Sequence, residues 1–298
     1  GINTMSTAFA LSGVTKRYEN FALRDIDLSM PEGQVMGLVG VNGAGKTTLL
    51  RILGGLALAD TGTVEVLGHD MPAQQVAAKS DLGFATEDMR LFKTRTLRWH
   101  MDFVRSIYPG WDEVYAAELL RRFDLRAEQK LAGFSHGQRV KALLMLNFAR
   151  RPKLLLLDEP TTGLDPVARD EVLEALADVL RDEARSVLFS SHNTKDIEQM
   201  ADTITFVHNG TLLASRDKES FLDDWRRVIC HGSWVPDKAA WPEIAAVRQN
   251  GSIVELKVRQ FSEGLLQRMQ TQGADIRSAD PMNLEDIFVT TVRAGGAA

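Results

Sequence analysis

Residues 40–48 of this 298-residue chain, Gly-Val-Asn-Gly-Ala-Gly-Lys-Thr-Thr, combine side-chain types and spacing that suit phosphate. They fit the pattern G-x-x-x-x-G-K-[ST], the phosphate-binding P-loop. Gly40, Gly43 and Gly45 let the backbone curl round an anion with its N–H groups turned inward, and Asn42, Ala44 and Thr48 complete the cradle. Lys46 is placed to reach the β- and γ-phosphates, and the Thr47 hydroxyl to sit on Mg²⁺. The second chemical signal is Leu154-Leu155-Leu156-Leu157-Asp158-Glu159. Asp158 can hold Mg²⁺ through water, and Glu159 can polarise an attacking water as general base. The two segments together predict a nucleoside triphosphate site.

Groups of this kind need a strand, a loop and a helix to hold them. The apolar run Val35–Val39 supplies the strand, and a helix over residues 46–56, stopped by Gly54-Gly55, follows the loop. The positive N-terminal end of that helix adds to anion binding. Four consecutive leucines suit a central strand covered on both faces, and the C-terminal ends of parallel strands are where such sheets bind ligands. Strand alternation marks residues 6–38 and 63–66. Residues 89–130 read as helical, with Trp111–Phe123 the clearest amphipathic stretch. Helices are expected over 136–150, 166–182 and 194–201, and strands over 153–157, 186–191 and 204–207. This alternation predicts an α/β domain with a mainly parallel sheet. Near residue 215 the organisation changes, and 226–298 reads strand, strand, helix, strand, helix. A small C-terminal α/β domain is therefore expected over 216–298.

The composition is that of a globular protein, with 44 % hydrophobic and 25 % charged residues. A net charge of −5 argues against a general nucleic-acid binder, which carries a basic footprint. The single cysteine, Cys230, has no internal partner for a disulfide, which fits a reducing cytoplasm. No apolar run reaches the roughly 18–20 residues of a membrane span, and no signal peptide is visible. Gly1–Thr4, ahead of Met5, read as a cloning scar.

The order of motifs resembles the ATP-binding subunit of ABC transporters over roughly residues 6–215. That family carries a signature, usually Leu-Ser-Gly-Gly-Gln, one helix ahead of its acidic strand. Phe134-Ser135-His136-Gly137-Gln138 holds that place here. Gly163-Leu164-Asp165 matches the family's Asp-loop, His192 its switch histidine and Tyr18 its adenine-stacking aromatic. The resemblance implies a P-loop NTPase ABC ATPase domain over 5–215: a mainly parallel sheet with antiparallel strands and a helical subdomain at about 88–150. It implies Mg²⁺ and ATP as cofactors, with Lys46, Glu159 and His192 as the catalytic set. Stacking on Tyr18 would be worth about 1–3 kcal/mol. Ser135, Gly137, Gln138 and Asp165 would meet the nucleotide of a second copy, so that a homodimer holds two composite sites. An integral membrane permease would be a separate partner, received near Met89–Phe92, Lys93, Arg95 and Arg98. That places the subunit in the cytoplasm, peripheral on the membrane. Thr161–Pro166, the segment Tyr108–Asp112 and the ending Asn283–Phe288 are similar to bacterial exporter ATPases of the bacitracin-resistance type.

Two positions depart from the family pattern. His136 stands where the signature has its first glycine, with its side chain expected in solvent. Glu87 stands where the family has a Mg²⁺-touching glutamine, and a carboxylate can also ligate Mg²⁺. Two other functions stay open on sequence: a poorly hydrolysing, nucleotide-dependent regulatory subunit, and a soluble ABC ATPase of translation or DNA repair. The second is disfavoured by a single nucleotide domain and by residues 49–133, which hold no long coiled coil.

Overall fold

The computed structural model describes residues 6–86, 89–181 and 185–295. The chain opens with β1 (Thr7–Arg17), β2 (Ala22–Pro31) and β3 (Val35–Val39), then passes through residues 40–45 into α1 (Lys46–Leu53). Next come β4 (Thr61–Val66), β5 (His69–Met71), α2 (Gln75–Ser80) and β6 (Leu82–Ala85). The helical segment comprises α3 (Leu97–Ile107), α4 (Glu113–Arg122) and α5 (His136–Phe148). Strands and helices then alternate: β7 (Leu154–Asp158), α6 (Pro166–Leu180), β8 (Ser186–Ser191), α7 (Thr194–Met200), β9 (Thr203–His208) and β10 (Thr211–Asp217). The last part holds α8 (Lys218–Asp224), β11 (Arg226–His231), β12 (Ile244–Asn250), β13 (Ile253–Val258), α9 (Glu263–Thr271), β14 (Asp275–Pro281) and α10 (Leu284–Arg293).

These strands form three sheets, ordered β2-β1-β4-β5, β10-β9-β3-β8-β7-β6 and β12-β13-β11-β14. The first and third are antiparallel. The central sheet is parallel except where β10 meets β9. Its middle strands are apolar on both faces because both faces are covered. Leu154 and Leu156 enter the core shared with α1 and the first sheet, whereas Leu155 and Leu157 enter the core under α3–α7. β3 splits the same way, with Met36 and Leu38 on one side and Val35 and Val39 on the other. Burying each such side chain contributes about 1.5–3 kcal/mol.

In the C-terminal part three strands, not two, precede α9. They are β11, β12 and β13, with β12, Ile-Ala-Ala-Val-Arg-Gln-Asn, at the sheet edge. α10 returns to the main core, with the Phe288 ring 5.2 Å from Phe206 on β9 and the Arg227 guanidinium 2.8 Å from Asp286. The P-loop helix is one turn shorter than expected and ends at Leu53, directly before Gly54 and Gly55. Every strand of the parallel set ends on the same side, and that edge carries residues 40–47, Asp158–Glu159 and His192.

Candidate active site

The backbone of residues 40–45 has the shape its glycines require. Gly43 and Gly45 lie at φ +83° and +117°, a region that L side chains avoid. Gly40 has no room for a side chain, since a Cβ there would stand 2.6 Å from the Val207 carbonyl oxygen. From below, the Gly210 N–H donates to the Ala44 carbonyl at 2.9 Å, so the β9–β10 turn props the loop.

A cavity of about 620 Å³ opens above this loop, within the range of small-molecule sites. Asn42, Gly43, Gly45, Lys46, Thr47, Thr48, Asp158, Glu159 and His192 line it, so the fold gathers the expected P-loop, acidic and histidine residues in one place. The side chains already bond to one another. Lys46, 5 % exposed, donates to the Gly40 carbonyl at 2.6 Å and to Glu159 Oε1 at 2.8 Å. Thr47 Oγ1 donates to Asp158 Oδ2 at 2.9 Å. His192 Nδ1 lies 2.9 Å from Glu159 Oε2, which also accepts from the Thr162 hydroxyl at 2.9 Å. Ser190 Oγ donates to Asp158 Oδ1 at 2.7 Å and accepts from the Glu159 N–H at 2.9 Å, tying the two carboxylates to β8.

Glu159 sits at φ +50°, a strained position for a non-glycine residue of the kind found at functional sites. Burial pushes its carboxyl up, but the Lys46 hydrogen bond and charge, the Thr162 hydroxyl and His192 outweigh it and hold the pKa below the ordinary value. Glu159 is therefore a carboxylate at neutral pH. Thr47 and Asp158 are hard oxygen donors in contact, a pair that fits Mg²⁺, which keeps most of its waters and takes one or two protein ligands.

Other expected residues lie elsewhere. Tyr18 lines a neighbouring cleft of about 350 Å³ and is 46 % exposed; that cleft shares Asn20 and Phe21 with the main cavity. Ser135 caps α5, accepting from the Gln138 N–H at 3.1 Å while its own N–H donates to Gln138 Oε1 at 2.9 Å. Gly137 follows in the first turn of the same helix. Asp165 caps α6 through the Val167 and Ala168 N–H groups. Ser135, Gly137, Gln138 and Asp165 all lie outside the lining of the P-loop cavity of their own chain. His136 is exposed, as expected, but its ring is not free in solvent: Nε2 stands 3.5 Å from the Thr162 carbonyl oxygen, over Gly163. Glu87 falls outside the described residues.

Sequence reading missed Phe21, Thr162 and Ser190. Thr162 follows Glu159 by three positions and carried a local signal. Ser190 is identified only by the β7–β8 register, which sets it opposite Asp158.

Comparison with known proteins agrees with this geometry. The family model described as ABC transporter matches residues 23–162. The daunorubicin resistance ATP-binding protein DrrA3 of Streptomyces coeruleorubidus is 35 % identical over 214 residues, covering 70 % of this chain and 67 % of that protein. The ABC transporter ATP-binding protein YtrB of Bacillus subtilis is 29 % identical over 271 residues, covering 91 % of this chain and 92 % of that protein. A solved ATP-binding subunit of an ABC transporter superposes with a TM-score of 0.66 at 25 % identity, over 73 % of this chain and 92 % of that one. The chain belongs to the ABC transporter family as an ATP-binding subunit, a class of ATPase. Among the described residues no helix is long and apolar enough to cross a membrane.

Proposed function

We propose that the chain is the energy-supplying subunit of a membrane exporter, closing as a homodimer on ATP and driving a separate permease from the cytoplasmic face. The observation that carries this reading is the split of the site. Lys46, Thr47, Asp158, Glu159 and His192 share one cavity, while Ser135 at the N-terminus of α5 is not part of its lining. A second copy, related by a twofold axis, would set its Ser135, Gly137 and Gln138 against the phosphates held by the first. Tyr18 would take the adenine on its exposed ring. Export is supported by the resistance protein among the relatives.

The chemistry follows from the existing contacts. ATP entering the cavity draws Lys46 away from Glu159 to its phosphates, which frees Glu159 Oε1. Thr47 and Asp158 would hold Mg²⁺, which neutralises charge developing on the phosphates. Glu159 accepts a proton from water as the water oxygen bonds to the γ-phosphorus. The bond from that phosphorus to the bridging oxygen breaks, leaving ADP and phosphate. His192, seated against Glu159, keeps the carboxylate aimed.

The groove beside the site is the candidate seat of the permease. Met89, Leu91, Phe92, Lys93 and Leu143 line a depression of about 840 Å³ that reaches Asp158 and Glu159. The test is to hold Glu159→Gln with Mg·ATP in its host, solubilise the membranes and identify what co-purifies. A stoichiometric polytopic membrane protein is expected. Recovery of ribosomes or DNA-repair factors alone would overturn the transporter reading in favour of a soluble ATPase.

A further inference from the structure

Asp196 lies outside the cavity, yet it is the one Asp or Glu among the described residues that is buried, at 1 % exposed. A carboxylate is kept in such a place only when both oxygens are satisfied. Here Oδ2 accepts from the Thr161 hydroxyl at 2.7 Å, and Oδ1 accepts from Arg169 Nε at 2.7 Å and from Arg169 Nη2. The three partners come from three segments. Thr161 is two residues past Glu159, Arg169 is in the first turns of α6, and Asp196 is four residues past His192.

Their location gives the contact its meaning. The β7–β8 ladder ends at the pair Asp158–Ser190. Beyond it the two chains part, one carrying Glu159 and the other His192, and no ladder bond holds them in step. The bond from Thr161 to Asp196 spans that gap directly behind the catalytic pair. Arg169 adds an opposite charge beside Asp196 and fastens α6 to the same point.

We infer that Asp196 is a positioning residue for hydrolysis: through Thr161 it straps the loop after Glu159 to the helix after His192 and sets the 2.9 Å contact between those two side chains. The inference rests on the proposed roles of Glu159 and His192. Asp196 is not among the residues that line the P-loop cavity. Its effect is geometric, and misplacement of a reacting group by about 1 Å lowers rates by about 10²-fold.

Thr161→Val removes the strap at nearly constant volume and leaves Asp196 paired with Arg169. Thr161→Ser keeps the hydroxyl. Steady-state hydrolysis by the full chain should show kcat reduced about tenfold or more in Thr161→Val, with KM for ATP within about twofold and with Thr161→Ser close to wild type. Thermal unfolding separates positioning from folding: Thr161→Val should melt a few degrees below Thr161→Ser, because Asp196 Oδ2 loses its hydroxyl partner, yet stay folded at the assay temperature. The combination of Thr161→Val with His192→Ala should be no slower than His192→Ala alone, since the strap acts through that contact. Asp196→Asn should follow Thr161→Val, and if it fails to fold, the Thr161 pair still decides. Wild-type kcat in Thr161→Val overturns the inference. So does a Thr161→Ser protein that is folded yet as slow as Thr161→Val. Glu159→Gln is the control. A wild-type rate in that protein removes the catalytic reading itself, whereas an inactive Glu159→Gln beside a fully active Thr161→Val removes the strap alone.

Discussion

Replacing Glu159 with glutamine should loosen the empty protein and tighten its grip on nucleotide, and both effects come from Lys46. Lys46 Nζ is held by the Gly40 carbonyl at 2.6 Å and by Glu159 Oε1 at 2.8 Å, with side-chain exposures of 5 % and 15 % for the two charged partners. Two unit charges at that separation attract by about 6 kcal/mol at an effective dielectric of 20. Most of that offsets desolvation, and the surviving contribution of a charged hydrogen bond is about 1.5–3 kcal/mol. The amide still accepts a hydrogen bond, so the loss is put at about 2 kcal/mol, or about 4 °C in Tm for a chain of this size. ATP must break the same pair to reach Lys46. Without the pair to break, binding should strengthen by up to about thirtyfold, since about 1.4 kcal/mol is a factor of ten. The assay is calorimetric melting of the nucleotide-free protein and titration with a non-hydrolysable ATP analogue, which excludes any effect of blocked turnover. pH supplies a second check. The folded pKa of Glu159 lies below the unperturbed 4.5, so its contribution to stability is complete above that value and is lost as pH falls through the folded value. The Tm gap between wild type and variant should close below about pH 4.5. An unchanged Tm, or binding no tighter than wild type, would refute the idea that Lys46 and Glu159 exchange partners.

Three further outcomes are expected. Gly210→Ala places a Cβ 1.8 Å from the Ala22 carbonyl oxygen at φ +77°, so stability should fall by about 3 kcal/mol or more together with nucleotide affinity, read by melting and titration. Ser135→Ala removes a capping box worth about 1 kcal/mol, so Tm should drop only slightly. Hydrolysis should fall about 10²-fold if Ser135 meets the second copy's phosphates, and a loss no larger than the change in Tm would count against the composite site. Phe92→Ala removes a ring that is 60 % exposed, so melting should stay within about 1 °C while co-purification with the membrane partner is lost.

Legibility in the sequence tracked how local each feature is. Residues 40–48 announce themselves because nine neighbouring positions carry the whole cradle, and the leucines of β7 because four successive apolar side chains can only serve two covered faces. β6 escaped notice. It is four buried residues, Leu-Gly-Phe-Ala, too short for a pattern, with Gly83 packed where a Cβ would stand 2.6 Å from Leu155 Cδ2. Ser190 and Asp196 were beyond sequence reasoning, since their partners lie 32 and 35 positions away, Ser190 meeting Asp158 through the β7–β8 register and Asp196 meeting Thr161 past the end of that ladder. The positive φ of Glu159 is likewise a product of packing, held by the Ser190 hydroxyl on its N–H. His136 was legible as a departure from the family, but not its seat over Gly163, which depends on how α5 meets the loop before α6.

The contacts within the cavity share one property that bears on how the proposed cycle starts. Each functional group is satisfied by another: Lys46 by Glu159, Thr47 by Asp158, and His192 by Glu159. None of these side chains is among the buried polar atoms left without a partner in the described residues. Each bond also occupies a position that ligand atoms would take, phosphate oxygens at Lys46 and the Mg²⁺ at Thr47 and Asp158. Binding is then an exchange of one satisfied network for another, with little reorganisation of backbone, since Gly43 and Gly45 already hold the positive φ that curls the loop. Such an exchange keeps Glu159 engaged until ATP has taken Lys46 from it. With Glu159 in its proposed role, activation of water would thereby be tied to the presence of substrate. On this argument the Lys46–Glu159 pair guards the carboxylate before binding, and the strap from Thr161 to Asp196 preserves its aim afterwards, when that pair is gone.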